Sequence, residues 1–294
     1  MAATIIDGKK VADRIRADVR RQVESLAAEG LRLKLAAVLA GEPAAGLVYA
    51  RSQARQCEAI GIDYELVRLP ATCDADCIAQ NIDRLNRDPS VTGIILLLPL
   101  PAGIDAPPMQ YRIDPYKDVE GVNPANIGFV FYGRPIIAPC TALAVVELIR
   151  ETKMQLRGTS AVVVGQGAIV GRPIGVLLVQ EDATLTSCNE FTAELSRYTR
   201  DADLLVVAAG VPKLITPDHV KRGAVVIDVG INRIKTTDGS GQEIVQTIGD
   251  VEFESVRQVA SAITPVPGGV GPITVTMLLR NTVEAARKQR ARRP

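Results

Sequence analysis

Residues 160–173 read Ser-Ala-Val-Val-Val-Gly-Gln-Gly-Ala-Ile-Val-Gly-Arg-Pro. The apolar run predicts a buried strand, the glycines predict a tight turn, and the residues from Gly171 onward predict the start of a helix. A turn of this kind brings backbone N–H groups and the positive end of a helix dipole toward a pyrophosphate. The spacing Gly165-x-Gly167-x-x-x-Gly171 is one residue longer than the usual dinucleotide pattern. The turn therefore predicts a dinucleotide site only if further strands surround it.

Three further strand-like runs follow the glycine turn, at residues 183–187, 203–210 and 224–230. Apolar runs of this length between turn residues are typical of parallel strands that are covered on both faces. Together with the glycine turn they predict a Rossmann-like dinucleotide-binding domain in the second half of the chain.

The first half of the chain also alternates between helical and strand-like patterns. Asp7 precedes an amphipathic helix that ends near Gly30, and its apolar stripe consists of Val11, Ile15, Val19, Val23 and Leu26. The predicted strands are residues 33–40, 64–69 and 91–98, and the predicted helices between them are residues 44–59 and 75–85. This alternation predicts an α/β protein with a parallel sheet in each of two α/β domains.

The composition indicates a globular protein and gives no reason to expect a nucleic acid or a membrane as partner. Hydrophobic residues make up 47% of the chain, charged residues make up 23%, and the net charge is +1. No apolar run reaches the roughly 18 residues that a membrane span needs, and the first residues lack the charged start of a signal peptide. We expect a cytoplasmic protein.

The cysteines and the single histidine do not predict a metal site. The cysteines are Cys57, Cys73, Cys77, Cys140 and Cys188. Cys73 and Cys77 could share one helical face, but there is no second cysteine pair, and zinc sites need about four ligands. We expect free thiols in a reducing compartment. His219 follows a predicted helix start and is expected at the surface.

Residues 263–274 read Ile-Thr-Pro-Val-Pro-Gly-Gly-Val-Gly-Pro-Ile-Thr. Proline fixes φ, whereas glycine permits positive φ and close approach of other groups to the backbone. Such a dense mixture predicts a rigid loop of special shape, with Pro272 suited to start the last helix. An ordinary strand–turn–helix connection is the alternative interpretation.

Several motifs together resemble the methylenetetrahydrofolate dehydrogenase/cyclohydrolase family. The motifs are the 263–274 loop, Pro99-Leu-Pro101, Lys117-Asp-Val-Glu-Gly121 and Val164-Gly-x-x-x-x-Val-Gly-Arg-Pro173. The resemblance implies two domains that flank a cleft: a folate-binding domain over residues 1–139, on which residues 272–294 pack, and a Rossmann-like NAD(P)-binding domain over residues 140–271. It also implies a tetrahydrofolate derivative as substrate, NAD or NADP as cofactor, and a homodimer.

The resemblance places the catalytic groups at Tyr49, Gln53 and Glu120. The family has Tyr-x-x-x-Lys where this chain has Tyr49 and Gln53, and residues four apart lie on one helical face. The family lysine is tied mainly to the cyclohydrolase step, and glutamine cannot carry a proton in acid–base work. Glu120 stands where the family has an aspartate that holds the pterin, although a solvated loop acid is the alternative.

The resemblance also implies further substrate contacts. Leu97 stands where the family usually has glutamine, so one polar contact is expected to be lost. Pro99 belongs to the intact Pro-Leu-Pro. Pro265, Gly268 and Gly269 are expected to hold the folate and the nicotinamide in contact.

The predicted cofactor residues are those of the glycine turn and of the ends of later strands, namely Gly165, Gln166, Gly167, Val170, Gly171, Arg172, Glu190, Gly210, Gly230 and Ile231. Members of the family that use NADP usually have arginine after the first glycine and a serine or basic residue after the second strand. This chain has Gln166 and Glu190, and a carboxylate accepts hydrogen bonds from a ribose diol but repels a 2′-phosphate. The pattern therefore favours NAD over NADP, unless Glu190 simply faces solvent.

The sequence thus predicts a dehydrogenase that oxidises 5,10-methylenetetrahydrofolate and whose cyclohydrolase activity is weak or lost, because Gln53 replaces lysine. One alternative is a bifunctional enzyme in which another group, such as Tyr49 with an ordered water, replaces the lysine. A non-catalytic or repurposed paralogue that binds folate or a nucleotide is the other alternative, because Gln53, Leu97 and Glu120 all depart from the family around one ligand.

Overall fold

The computed structural model describes residues 2–237 and 243–292. These residues group into two compact units. Residues 2–13 and 141–274 form the large-sheet unit, and residues 14–140 and 275–292 form the small-sheet unit. The N-terminal residues 2–13, expected in the first domain, thus belong with the second.

Within the described residues the strands and helices have the following bounds. The strands are β1 Thr4–Ile5, β2 Lys34–Ala40, β3 Asp63–Leu69, β4 Gly93–Leu96, β5 Ser160–Val164, β6 Thr184–Cys188, β7 Leu204–Val207, β8 Val225–Asp228, β9 Asn232–Thr237, β10 Glu243–Ile248 and β11 Ala262–Ile263. The helices are α1 Gly8–Ala28, α2 Ala44–Glu58, α3 Ala75–Arg87, α4 Ala106–Tyr111, α5 Pro124–Phe131, α6 Cys140–Glu151, α7 Gly171–Gln180, α8 Ser196–Thr199, α9 Phe253–Val256 and α10 Val270–Ala291, with a 3₁₀ turn at Pro217–His219.

The small-sheet unit is built on strands in the order β3-β2-β4, all parallel. The central strand β2 is apolar after Lys34, and its residues from Leu35 to Ala40 are buried, as expected for a strand covered on both faces. The segment before Glu120 runs beside β4, because Ile94 N donates to Lys117 O at 2.7 Å. That placement sets Glu120 near the carboxyl edge of the small sheet, where ligands of parallel sheets bind.

The large-sheet unit contains a parallel sheet in the order β1-β11-β8-β7-β5-β6. Strand β5 lies between β6 and β7, so the chain leaves it on one side and returns on the other. The carboxyl ends of strands at such a switch point form the usual ligand crevice. The predicted α/β class and the parallel sheets are confirmed, and β1 joins the sheet by pairing with β11.

Three details differ from the sequence expectations. Strand β4 ends at Leu96, short of the predicted Leu98, and Pro99 has no N–H with which to continue a ladder. Helix α10 begins at Val270, two residues before Pro272. The antiparallel pair β9–β10 was not predicted.

The expectation of free thiols is wrong for one pair, because Cys73 and Cys77 form a disulfide with a Cα–Cα distance of 5.5 Å. Asp74 caps α3 by accepting from Cys77 N at 2.8 Å, and this turn brings the two cysteines together. Cys57, Cys140 and Cys188 are free and buried. His219 is partly exposed, and its Nδ1 lies 3.0 Å from Thr216 Oγ1.

In the described part of the chain no helix is both long enough and apolar enough to cross a membrane.

Candidate active site

Tyr49 and Gln53 lie one turn apart on α2 of the small-sheet unit. Tyr49 is 38% exposed, whereas Gln53 is fully buried. The hydroxyl of Tyr64, on β3, donates to Gln53 Oε1 at 3.1 Å. Within the described residues, Gln53 Nε2 has no hydrogen-bond partner. A buried donor without a partner costs about 1–3 kcal/mol.

Both tyrosine hydroxyls keep their protons at neutral pH. Burial, followed by the nearby Glu120 carboxylate, raises the pKa of Tyr49 to about 12. Burial also raises the pKa of Tyr64. The protonated Tyr64 hydroxyl can donate to Gln53 Oε1.

Glu120 lies in a turn that its neighbours hold tightly. The buried Asp118 carboxylate accepts from Gly121 N at 3.1 Å, from Asn123 N at 2.7 Å and from Asn126 Nδ2 at 2.9 Å. Gly121 has φ +73°, and a Cβ there would overlap the carbonyl group of Ala138. The glycine of the Lys-Asp-Val-Glu-Gly motif is therefore required by the turn itself.

Burial raises the pKa of the half-buried Glu120 to about 8, and the neighbouring Asp118 carboxylate adds to the rise. Burial also raises the pKa of Asp118 and that of the Cys140 thiol. The Glu120 carboxylate adds to the rise of the pKa of Cys140. A carboxyl group poised near neutrality can donate as well as accept a hydrogen bond.

Lys117 is held by main-chain carbonyl groups. Its Nζ donates to Leu85 O at 2.9 Å and to Asp88 O at 2.6 Å, at the carboxyl end of α3. Burial lowers its pKa, and its ammonium group satisfies helix carbonyls that would otherwise lack partners. Lys117 is thus a structural part of the motif.

The other predicted residues of the small sheet follow β4. Leu97 is 2% exposed, so little of its surface is open to a ligand, and it contributes no polar group. Pro99 is exposed.

The glycine turn of the large-sheet unit is shaped for close backbone approach. Gly165 has φ +102°, and a Cβ there would overlap Ala208 O. A Cβ at Gly171 would overlap Gly165 O, whereas a Cβ at Gly167 would meet open space. Helix α7 begins at Gly171, close to the ends of β5 and β7. Gly165 and Gly171 are therefore required by the packing of the turn itself, and of these three glycines only Gly167 faces open space.

The other residues of the turn support its shape. Gly167 O accepts from Val170 N at 3.3 Å and from Arg172 N at 3.2 Å. Gln166 Nε2 lies 3.4 Å from Val163 O, and the Arg172 side chain is exposed.

Two buried carboxylates, which the sequence interpretation missed, organise the ends of β7 and β8. Asp250 accepts from Ala209 N at 2.7 Å, from Gly210 N at 2.8 Å and from Asn232 Nδ2 at 2.8 Å. A Cβ at Gly230 would overlap the Asp250 carboxylate. Asp250 therefore hydrogen-bonds one predicted cofactor residue, Gly210, and packs against another, Gly230.

Asp228 completes this arrangement. Its carboxylate accepts from Gly230 N at 3.0 Å, from Asp250 N at 3.0 Å and from Val251 N at 2.9 Å. Burial is the main cause that raises the pKa of Asp228 to about 6. No local pattern marks Asp228 or Asp250, because each binds backbone groups from another segment.

The 263–274 loop borders a cavity of about 160 Å³ within the large-sheet unit. The predicted residues that line it are Gly230, Ile231, Pro265, Gly268 and Gly269. Gly8 fixes the loop, since its N donates to Gly268 O at 3.0 Å and a Cβ at Gly8 would overlap Gly269 O. The structure therefore brings the predicted nicotinamide contacts and the loop together.

Two parts of the chain match the two domains of one known protein family. The NAD(P)-binding domain of the tetrahydrofolate dehydrogenase/cyclohydrolase family matches residues 139–290, and the catalytic domain of the same family matches residues 6–120. The chain belongs to this family.

Known members are similar to the chain over nearly its whole length. The bifunctional protein FolD of Exiguobacterium sibiricum is 47% identical over 97% of this chain and 100% of that protein. The crystal structure of the bifunctional enzyme FolD from Campylobacter jejuni has a TM-score of 0.91 and 40% identity, and covers 98% of this chain and 100% of its own. FolD of Trypanosoma brucei, solved with NADP and an inhibitor, has a TM-score of 0.90 and 36% identity over 100% of both chains.

In this member of the tetrahydrofolate dehydrogenase/cyclohydrolase family, the predicted ribose contact Glu190 follows β6. Glu190 is exposed in a turn where Phe191 N donates to Asn189 Oδ1 at 3.0 Å. Its carboxylate is accessible to a ribose and equally accessible to solvent. The preference for NAD stays a prediction.

Proposed function

We propose that this family member oxidises 5,10-methylenetetrahydrofolate with a nicotinamide cofactor, and that its hydrolysis of the methenyl product is weak or lost. The observation that carries the proposal is Gln53. It is fully buried and uncharged, and it occupies the helix position, four residues after Tyr49, where the family resemblance places lysine. Lys117 is bound to carbonyl groups of the Leu85–Asp88 segment and is not available as a substitute.

The large-sheet unit is proposed to bind the dinucleotide. Gly165 and Gly171 let the turn before α7 pack closely, the open space at Gly167 takes the diphosphate, and Asp250 and Asp228 hold Gly210 and Gly230 on the nicotinamide side. The nicotinamide ring, when bound, supplies the hydride acceptor. In our proposal Glu190 accepts hydrogen bonds from the ribose diol and disfavours a 2′-phosphate, so NAD is the preferred cofactor.

The small-sheet unit is proposed to bind the folate. In our proposal Glu120 holds the aminopyrimidine edge of the pterin, and Tyr49, the exposed residue one turn before Gln53 on α2, faces the substrate. Oxidation breaks one C–H bond at the bridging carbon, both electrons leave with the hydride, and the folate becomes a methenyl cation. This step needs orientation rather than proton transfer, so an amide suffices at residue 53.

Hydrolysis of the methenyl cation has a different requirement. Water adds to the bridging carbon and must lose a proton, so a base is needed. Gln53 has no basic atom, and Tyr49, whose pKa is raised to about 12, holds its proton at neutral pH. These two residues therefore do not supply the base.

A second candidate function is a fully bifunctional enzyme in which Glu120 is the base. Its pKa, raised to about 8, lies close to the pH at which a general base is most effective. On this hypothesis hydrolysis rises with pH through about 8 and is abolished in the Glu120→Gln variant.

Separate assays of the two steps test the proposal. We expect turnover of 5,10-methylenetetrahydrofolate with NAD exceeding that with NADP, and little hydrolysis of the methenyl compound above the uncatalysed rate. The Gln53→Lys variant is expected to gain hydrolysis unless Leu97 is limiting. Efficient hydrolysis by the unmodified protein would refute the loss, and absence of any folate turnover, with NAD but no folate raising the melting temperature, would favour a repurposed paralogue.

A homodimer and a cytoplasmic location are further parts of the proposal and rest on the family resemblance and the sequence composition. Light scattering of the purified protein tests the first, and fractionation of source cells tests the second.

A further inference from the structure

Asn281 lies on α10 and is 3% exposed. A side-chain amide has two N–H donors, and Asn281 uses both on main-chain carbonyls of distant segments. Its Nδ2 donates to Val119 O at 2.9 Å and to Ala138 O at 2.9 Å, and it lies 3.4 Å from Cys140 Sγ. One side chain thereby joins the residue before Glu120 to the segment that enters α6.

Cys140 ties the same two segments together. Its backbone N donates to Glu120 O at 3.2 Å, and its thiol donates to Val119 O at 3.3 Å. The peptide groups on both sides of the Glu120 Cα are therefore held: the one before by Asn281 and Cys140, the one after by Cys140. The backbone at Glu120 is thus hydrogen-bonded on both sides of its Cα.

Rigid backbone matters more here because Glu120 has one side-chain rotor more than an aspartate would have. The groups that face it, Tyr49, Asp118 and Cys140, leave the carboxyl group in a half-buried position beside another acid. A shift of the Val119–Glu120 peptide would move that carboxyl group relative to any ligand.

We propose that Asn281 is a positioning residue that sets the place of the Glu120 carboxyl group through the carbonyls of Val119 and Ala138. The assignment rests on the proposed role of Glu120 in binding folate. Asn281 itself does not contact the substrate; it acts through the backbone.

Helix α10 offers a matched control. Gln289 Nε2 donates to Thr92 O at 2.7 Å and to Tyr116 O at 2.9 Å, so it makes two bonds of the same kind away from the Glu120 peptide. The variants Asn281→Leu and Gln289→Met each remove two N–H donors while keeping side-chain volume. Asn281→Thr keeps one donor and should give an intermediate result.

We expect Asn281→Leu to lower kcat/KM for 5,10-methylenetetrahydrofolate about tenfold or more, as misplacement of a positioned group does. The Kd for NAD should stay unchanged. Gln289→Met should lower the melting temperature without changing kcat/KM. If Asn281→Leu and Gln289→Met have equal effects on kcat/KM and on the melting temperature, the role of Asn281 is merely structural and the proposal is overturned.

A second readout does not depend on folate. Carboxyl-carbon NMR of the full-length protein can follow the titration of Glu120, whose pKa is raised to about 8. In Asn281→Leu the loosened carboxyl group should titrate closer to an ordinary glutamate, and an unchanged titration would overturn the proposal. If the unmodified protein neither binds nor turns over the folate, the proposed function fails, and this titration still decides on Asn281. If Asn281→Leu does not fold, Asn281→Thr is judged by the same readouts.

Discussion

Replacing Asp250 with asparagine should weaken both the stability of the large-sheet unit and the binding of the dinucleotide. The Asp250 carboxylate is fully buried and accepts three hydrogen bonds, from Ala209 N, Gly210 N and Asn232 Nδ2. The backbone donors belong to the loop after β7, and Asn232 begins β9. Asp250 therefore joins the loop after β7 to the start of β9.

The magnitude follows from these bonds. In Asp250→Asn the remaining oxygen still accepts from Ala209 and Gly210, but each bond loses its charge assistance, about 1 kcal/mol apiece. The new amide group then faces the donor of Asn232, which costs about a further 2 kcal/mol. Easier burial of a neutral group and a flip of the Asn232 amide offset about 1–2 kcal/mol. The free energy of unfolding should fall by about 2–3 kcal/mol.

Urea unfolding and NAD titration measure the two effects. We expect the Kd for NAD to rise up to about tenfold, because the weakened bonds hold Ala209 N and Gly210 N less firmly in position. Asp203→Asn is the matched control: Asp203 is a partly exposed acid of the same unit, paired with Lys221 at 2.6 Å, and its loss should cost about 1 kcal/mol or less. If Asp250→Asn costs no more than this control and leaves the Kd unchanged, Asp250 does not organise the site.

Three further predictions concern the site. Because the pKa of Glu120 is raised to about 8, the native state binds this proton more tightly than the unfolded state, and the free energy of unfolding should fall as pH rises from the ordinary glutamate pKa to about 8. Urea unfolding of Glu120→Gln across this range should lose that dependence, and an unchanged slope of the free energy of unfolding against pH would contradict the raised pKa. Lys117→Met should lower the free energy of unfolding by about 2 kcal/mol, and a loss indistinguishable from zero would show that its two carbonyl partners find water instead. Gly171→Ala should raise the Kd for NAD about tenfold or more, because its Cβ would overlap Gly165 O, whereas Gly128→Ala on α5 of the small-sheet unit, whose Cβ meets open space, should leave it unchanged; similar effects of the two would contradict the close-approach argument.

The regular elements were largely predictable because their patterns are local. The apolar stripe of α1, the buried run of β2 and the strand–turn–helix at residues 160–173 appear within a few residues of their predicted positions. Proline and glycine motifs identified the family for the same reason, since each motif lies within a short segment. β1 was missed because a strand of two residues has no period to detect.

The site was predictable in part. Tyr49 and Gln53 do lie one turn apart on α2, and the predicted contacts Gly230, Ile231, Pro265, Gly268 and Gly269 do line one cavity. Their roles toward folate and cofactor stay predictions. The orientation of the Gln53 amide could not be predicted, because it depends on Tyr64 from the neighbouring strand.

The sequence by itself determined the fold class, the family and the residue types at the site, all of which are carried by local patterns. Only the tertiary structure decided which polar groups hold the site in place. Asn281 reaches Val119, Asp250 reaches Ala209 and Gly210, and Lys117 binds the end of α3. Each of these side chains satisfies buried backbone groups far away in the chain, and such pairing is set by how segments pack, because every buried donor and acceptor must find whichever partner lies beside it.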